Sequence, residues 1–305
     1  MVLPSQRRCA LVLLCHTGDI AEGRSHLDQA IAPYDPTEHR RLATRFGQDN
    51  RVAALCWRSM GLWLLGYPDV ALADAKHALK DAREIDQAAT LMYALVWTSF
   101  PQTFCGSYAI TNAQSDEVVS VADEKGSIIW KAFGMLNQGC VLALSGEAAD
   151  AVQMITTALG AFRSTGTTMW TPMYLSHLAG AYAKLDQLDD AWRCIGEAIT
   201  ATETTKETWC EAEVHRIAGE IAAKSPTLDA AKTQGYFERA LAVAREQQAK
   251  SWELRAAVSL ARLWRDQGKP QQARELLAPV YGWFTEGFDT LDLKEAKALI
   301  DELAA

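Results

Sequence analysis

Residues 142–159, LALSGEAADAVQMITTAL, hold the end of one apolar helix, a turn at Gly146 and the opening of a second helix. After the turn, Ala151, Ile155 and Ala158 recur at helical spacing, and small residues so placed let two helices cross closely. The same slots return as Ala71, Ala75 and Ala78; Ala191, Ile195 and Ala198; Thr233, Phe237 and Ala240; and Ala273, Leu277 and Val280. The turn returns as well: Gly66, Gly106 and Gly146 lie 40 and 40 residues apart, and Asp186, Ser225 and Gly268 continue the slot. Trp130, Trp170, Trp209 and Trp252 keep a parallel register at 40, 39 and 43 residues. Pro68 and Pro270 both fall two residues past a turn glycine, at a helix start where the missing N–H costs nothing. Self-similarity at a period of ~20–50 residues marks a stack of supersecondary units, none able to bury its apolar face alone.

Gly139, Ala179, Ala218 and Ala261 supply a small residue in the first helix of each pair, which matches the tetratricopeptide pattern. The fold class is therefore all-α: a right-handed α-solenoid of about seven tetratricopeptide-like helix pairs. First helices are predicted over 49–65, 87–104, 127–145, 168–185, 206–224 and 249–267, with partners over 68–83, 108–124, 147–163, 187–203, 228–247 and 270–283. The period near 40 lengthens each helix by about three residues, or about 4.5 Å, over the 34-residue unit. Residues 1–48 form a partial repeat plus an inserted helix or loop, 49–287 six repeats, and 288–305 a capping helix. Thr290 is the expected N-cap of that last helix, whose apolar face carries Leu293, Ala296, Leu299 and Leu303. Residues 1–15 read as the second half of a first helix, as in a piece of a longer chain.

The 305 residues are 49% hydrophobic, with a net charge of -8. No basic stripe is dense enough to release many phosphate counterions, so nucleic acid is not an expected partner. Seven scattered cysteines without a Cys-x-x-Cys read as core residues in a reducing compartment. No apolar run is expected to reach the roughly 18 residues that cross a bilayer, and a cytoplasmic location follows. The six histidines form no His-x-x-x-His pairing, and neither a metal site nor a cofactor is expected.

The segments LWLLGYPDVALADAKHAL (62–79), YDPTEHRRLATRFGQDNRVAAL (34–55) and 236–303 resemble one bacterial family. It is the C-terminal tetratricopeptide region of adenylate/guanylate cyclase-type signalling proteins, which carry a class III cyclase domain, an ATPase domain and helical repeats. The resemblance implies a sensory or scaffolding part of a signalling protein. Neither enzymatic activity carries over: no Gly-x-x-x-x-Gly-Lys-Ser/Thr loop occurs, and no pair of aspartates set in strands offers the metal site of a cyclase. The chain is not expected to be an enzyme.

Binding residues are expected on the concave face of the first helices, at positions stepping by three and four. They are Trp63, Tyr93, Phe100, Trp130, Phe133, Trp170, Met173, Trp209, His215, Trp252, Arg255, Arg262 and Arg265. Rings with arginines at one end would receive an apolar helix or peptide and anchor its carboxylates. The competing reading buries these rings between units, as large aromatics at helical spacing usually are. A polar loop of Asp35, His39, Arg40, Gln48 and Asp49 could hold a small ligand, against the simpler reading of a turn and N-cap. A protein or peptide partner is expected and a homo-oligomer is possible; the alternative is a small-molecule sensor with its ligand in the groove.

Overall fold

A computed structural model describes residues 17–225 and 229–304. The expected helix over residues 1–15, with Cys9 and Cys15, and the tip of the fifth-unit insertion at 226–228 lie outside the described residues. No strand occurs among the described residues. The described residues begin with α1 (Ile20–Ile31), α2 (Pro36–His39), a 3-10 turn (Arg40–Leu42) and α3 (Ala43–Phe46). Six helix pairs follow: α4 (Asn50–Leu64) with α5 (Pro68–Ile85), α6 (Ala88–Phe104) with α7 (Tyr108–Glu124), and α8 (Ile128–Ser145) with α9 (Ala148–Ser164). The second three are α10 (Thr171–Lys184) with α11 (Leu188–Thr205), α12 (Glu211–Ala223) with α13 (Ala230–Glu246), and α14 (Lys250–Asp266) with α15 (Pro270–Tyr281). The last helix, α16 (Leu291–Glu302), packs on α14 and α15.

Each pair crosses where the small residues sit. Ala71, Ala151, Ala191 and Ala273 of the second helices are fully buried, as are Ala179, Ala218 and Ala261 of the first. At Gly139 a Cβ would stand 2.5 Å from Ile155 Cγ1, so only glycine permits this crossing. The turn slot is left-handed at Gly66, Gly106, Gly146, Asp186 and Gly268. A second left-handed series, Asp86, Gly126, Gly166, Lys206 and Gln248, closes the second helices midway between them. At many of these ends the next N–H reaches the carbonyl five residues back, as in Tyr67 to Leu62, Ser127 to Ala122 and Ala249 to Ala244. This is the Schellman closure of a helix C-terminus.

Two first helices start late. α10 begins at Thr171 because Trp170 adopts φ +67°, and α12 begins at Glu211 after a turn. Glu207, buried between the two loops, ties them together: it accepts the Trp170 N–H at 2.9 Å and the Trp209 indole N–H at 2.8 Å. Thr290 is the N-cap of α16 by position, yet its hydroxyl donates to the Gly287 carbonyl and not to the helix. The 18-residue α8 is long and apolar enough to cross a membrane, contrary to the sequence expectation, but half of it is buried within the stack.

The stack bends until its ends meet. The Trp63 and Trp252 rings lie 4.7 Å apart edge to face, and the Ser251 hydroxyl donates to the Trp63 carbonyl. Glu286 accepts the first N–H groups of α5, from Asp69 at 2.9 Å and Val70 at 3.2 Å, and the Gly287 N–H returns to Asp69 at 3.0 Å. A carboxylate at a helix N-terminus satisfies donors that the helix itself leaves open; here it arrives from the far end of the chain. Gly287 has φ +75°, and a Cβ there would stand 2.0 Å from Pro68 Cγ.

Candidate functional site

Closure decides the fate of the expected groove. Trp63, Phe100, Phe133, Trp170, Met173, Trp209 and Trp252 are all buried. They form a continuous aromatic seam with Trp57, Trp97 and Phe104: Phe100 to Trp170 at 3.9 Å, Trp170 to Trp209 at 4.3 Å, and Trp63 to Phe104 at 4.4 Å. Tyr93 and Trp130 are half-buried at its edge, 6.0 Å apart, and the Tyr93 hydroxyl accepts from the Trp57 indole. These rings therefore seal repeat to repeat and line no open groove. The buried side chains follow the reading that packs these rings between units; what the repeat period does not carry is the inward bend that joins Trp63 to Trp252 across the stack.

The charged members of the expected groove part company. His215 faces a separate cleft of about 360 Å³ formed with α11 and α13, where Glu211 lies 3.6 Å from its Nε2 and pairs with Arg239. Arg265 is held by Asp266 and by Glu302 of α16. Arg262 reaches Glu295 at 3.0 Å. Arg255 turns inward, with Nε–H on Asp292 at 2.8 Å and Nη2–H on the Phe104 carbonyl at 3.1 Å. Its guanidinium lies 5.2–5.4 Å from the Trp63, Phe104 and Trp252 rings, close enough for cation–π attraction.

The polar loop has structural roles. Asp49 is buried, caps α4 through the Arg51 and Val52 N–H groups and accepts the Tyr34 hydroxyl at 2.7 Å. Asp35 caps α2 at Thr37, His39 contacts the Asp35 backbone at 2.9 Å, and Arg40 pairs with Glu84. Gln48 is half-buried beside them. Their contacts are those of a turn and its caps.

Polar groups are buried alongside these rings. Asn137 donates to Ser99 Oγ at 2.8 Å and accepts the Tyr174 hydroxyl at 3.2 Å, linking α6, α8 and α10. Farther along, Glu213 is buried and takes Arg216 in a bidentate pair at 2.7 and 2.8 Å. Burial alone would raise Glu213, but Arg216 and Arg255 outweigh it and hold the carboxyl at about 2. Burial pushes the neighbouring His177 down to about 4, so its imidazole is neutral. Arg216 also meets Glu220 and Ser259.

Above this charged floor opens an inner cavity of about 440 Å³. Tyr108 of α7, Leu144 of α8, Lys184 of α10, Arg216 and Glu220 of α12, Leu254, Arg255, Val258, Ser259 and Arg262 of α14, and Leu291, Asp292 and Glu295 of α16 line it. Of the residues expected in the groove, only Arg255 and Arg262 line this cavity. Lys184, Arg216, Glu220 and Asp292 went unnoticed. One signal was present in the sequence: Glu213, Arg216 and Glu220 stand at steps of three and four on a helix otherwise rich in Ala and Ile, and charge on a buried helix face calls for a partner.

The two-helix units, their small-residue crossings and the polar inner cavity define a tetratricopeptide-type helical-repeat protein. Solved structures agree with that fold. One, a Rap protein complexed with competence and sporulation factor, superposes with TM-score 0.67 at 11% identity, covering 98% of this chain and 80% of that one. The apo form of RapI gives TM-score 0.57 at 12% identity, covering 98% and 99%. Aspartyl phosphate phosphatase F from Bacillus subtilis gives 0.58 at 10% identity, covering 90% and 66%. No protein-family model matches the chain, and no curated protein matches it by sequence.

Proposed function

We propose that the chain is a non-catalytic recognition module, a scaffold or signal sensor, whose ligand enters the inner cavity. The observation that carries this is the cavity itself: at about 440 Å³ it is lined by five of the repeats and the last helix, and it falls in the ~300–1,000 Å³ range of small-ligand sites. A ligand there would touch the second to sixth repeats and the last helix together. The acids around it are engaged by guanidiniums, Glu213 by Arg216 and Asp292 by Arg255, which suits charge recognition better than proton transfer. One neighbour in fold is itself complexed with a factor, and this supports a binding role. Membership of a cyclase- and ATPase-bearing signalling protein belongs to the same proposal and rests on the sequence resemblance.

A library of small metabolites and short peptides, observed by ligand NMR, tests the proposal. Wild type is compared with Leu291→Trp, which places a large ring at the cavity mouth on a residue that is 41% exposed. Hits that disappear in the variant support the cavity. Hits indifferent to Leu291→Trp reject it. A protein partner would favour another surface, because Val70, Trp283 and Phe288 remain exposed beside the junction of the first and last repeats.

A further inference from the structure

We infer that the cavity takes a small zwitterion with an apolar side chain, an α-amino acid or a close analogue; this rests on the cavity being the ligand site. Four cationic side chains and three carboxylates line the cavity, and Glu213 beneath them brings the carboxylates level. The deeper charges, Arg216, Arg255, Glu213 and Asp292, satisfy one another. The outer ones do not close up in the same way. Lys184 forms no ion pair among the described residues and donates to the Ala143 carbonyl at the end of α8. Glu220 and Glu295 each meet one arginine while about half of each side chain stays exposed.

The cavity thus presents an ammonium without an ion pair together with two carboxylates with lone pairs to spare, and Leu144, Leu254 and Val258 add an apolar lining. A ligand carrying only a negative charge would satisfy Lys184 but face Glu220 and Glu295. One carrying only a positive charge would meet Lys184. In a partly desolvated site such like-charge contacts are costly, whereas a neutral molecule bearing both charges satisfies both walls. Burial lowers the Lys184 pKa from its ordinary value, so an arriving carboxylate would restore lost stabilisation to that ammonium. A cavity of this volume admits a side chain of leucine or phenylalanine size, and it excludes a helix about 10 Å across.

The experiment uses the whole chain and three sets of probes: valine, leucine and phenylalanine; their amides, which keep only the ammonium; and the matching 2-oxo acids, which keep only the carboxylate. The expected result is that at least one amino acid raises the melting temperature by about 3 °C at saturation, while its amide and oxo acid do not. Lys184→Gln should weaken binding about tenfold or more, and Lys184→Arg should recover part of it. The Lys184 side chain is only partly covered and lies outside the helix crossings, so both variants are expected to keep the wild-type circular dichroism. An oxo acid or amide that stabilises as well as its parent overturns the zwitterion and leaves the cavity in place. Amino-acid binding that survives Leu291→Trp lies elsewhere and overturns both. No shift with any of the three amino acids overturns the zwitterion, and the metabolite screen then judges the cavity alone.

Discussion

Glu207 has few reasons to be charged. It sits under the aromatic seam, and burial pushes its carboxyl up to about 7, against the pull of the Trp209 indole and Trp170 N–H bonds. Its native pKa exceeds the ordinary 4.5, so between these values the folded state holds the extra proton. Stability from this group is therefore full below pH 4.5 and falls as pH rises through 7. His177 acts in the opposite sense: burial lowers it from 6.5 to about 4, so the unfolded chain binds the proton first. Its contribution is full above pH 6.5 and is lost as pH falls toward 4. Each shift corresponds to roughly 3 kcal/mol at its full extent. The two slopes cancel between pH 4.5 and 6.5, and the stability of the wild type should be nearly flat there. Glu207→Gln keeps an acceptor for the tryptophan donors but removes the titration. Urea unfolding at half-unit pH steps should then show stability rising from pH 4.5 to 6.5, and a variant more stable than wild type by up to about 3 kcal/mol above pH 7. Identical pH profiles for the two proteins would exclude Glu207 as the titrating group.

Among the elements, helix ends obey local chemistry and helix faces do not. Gln248 closes α13 at φ +55°, a conformation that costs a residue with a Cβ about 1 kcal/mol and glycine almost nothing. Its side chain is exposed and the Ala249 N–H still closes on Ala244 at 2.8 Å. Gln248→Gly should accordingly stabilise the protein by about 0.5–1 kcal/mol, seen as a higher urea midpoint with an unchanged slope; a loss of stability would show that the left-handed turn is not the limiting strain. The same locality made the elements legible. α6, α7 and α8 lie within a residue of their expected bounds because Gly106, Gly126 and Gly146 end them in turns that five or six residues specify. Gly126 and Gly166 carried the second half of that rhythm in plain sight. The late start of α10 was beyond reach, since the Glu207 contact at Trp170 spans 37 residues. The inner cavity was beyond it too, because Tyr108, Lys184 and Asp292 come together only once the stack has curved.

For the whole molecule, closure changes how the repeats share stability. An open solenoid is close to a one-dimensional chain of neighbours, in which terminal units fray first. Here the last repeat and the segment after it meet the first repeats through Trp252 on Trp63, Glu286 on α5 and Arg255 on the Phe104 carbonyl. Fraying either end therefore breaks contacts at both. Arg255 is where these terms converge, since it also holds Asp292 of α16 and Glu213 of α12. Burial opposes its charge, yet Asp292 and Glu213 outweigh that and raise its pKa. Arg255→Met retains most of the apolar stem but leaves the half-buried Asp292 without its cation and takes one of two arginines from the buried Glu213. Removing one partner of such a network costs about 3–5 kcal/mol, and the helix pairs themselves should survive because their crossings lie elsewhere. The expected outcome is unchanged helicity at 222 nm, a larger radius of gyration by X-ray scattering, and thermal unfolding that broadens from one transition into a sequence of terminal and central melts. Arg255→Lys should recover little of this, because an ammonium cannot span the carbonyl and both carboxylates with a planar fork. If Arg255→Met keeps the wild-type radius and a single sharp transition, then the Trp63–Trp252 and Glu286–α5 contacts close the superhelix without it.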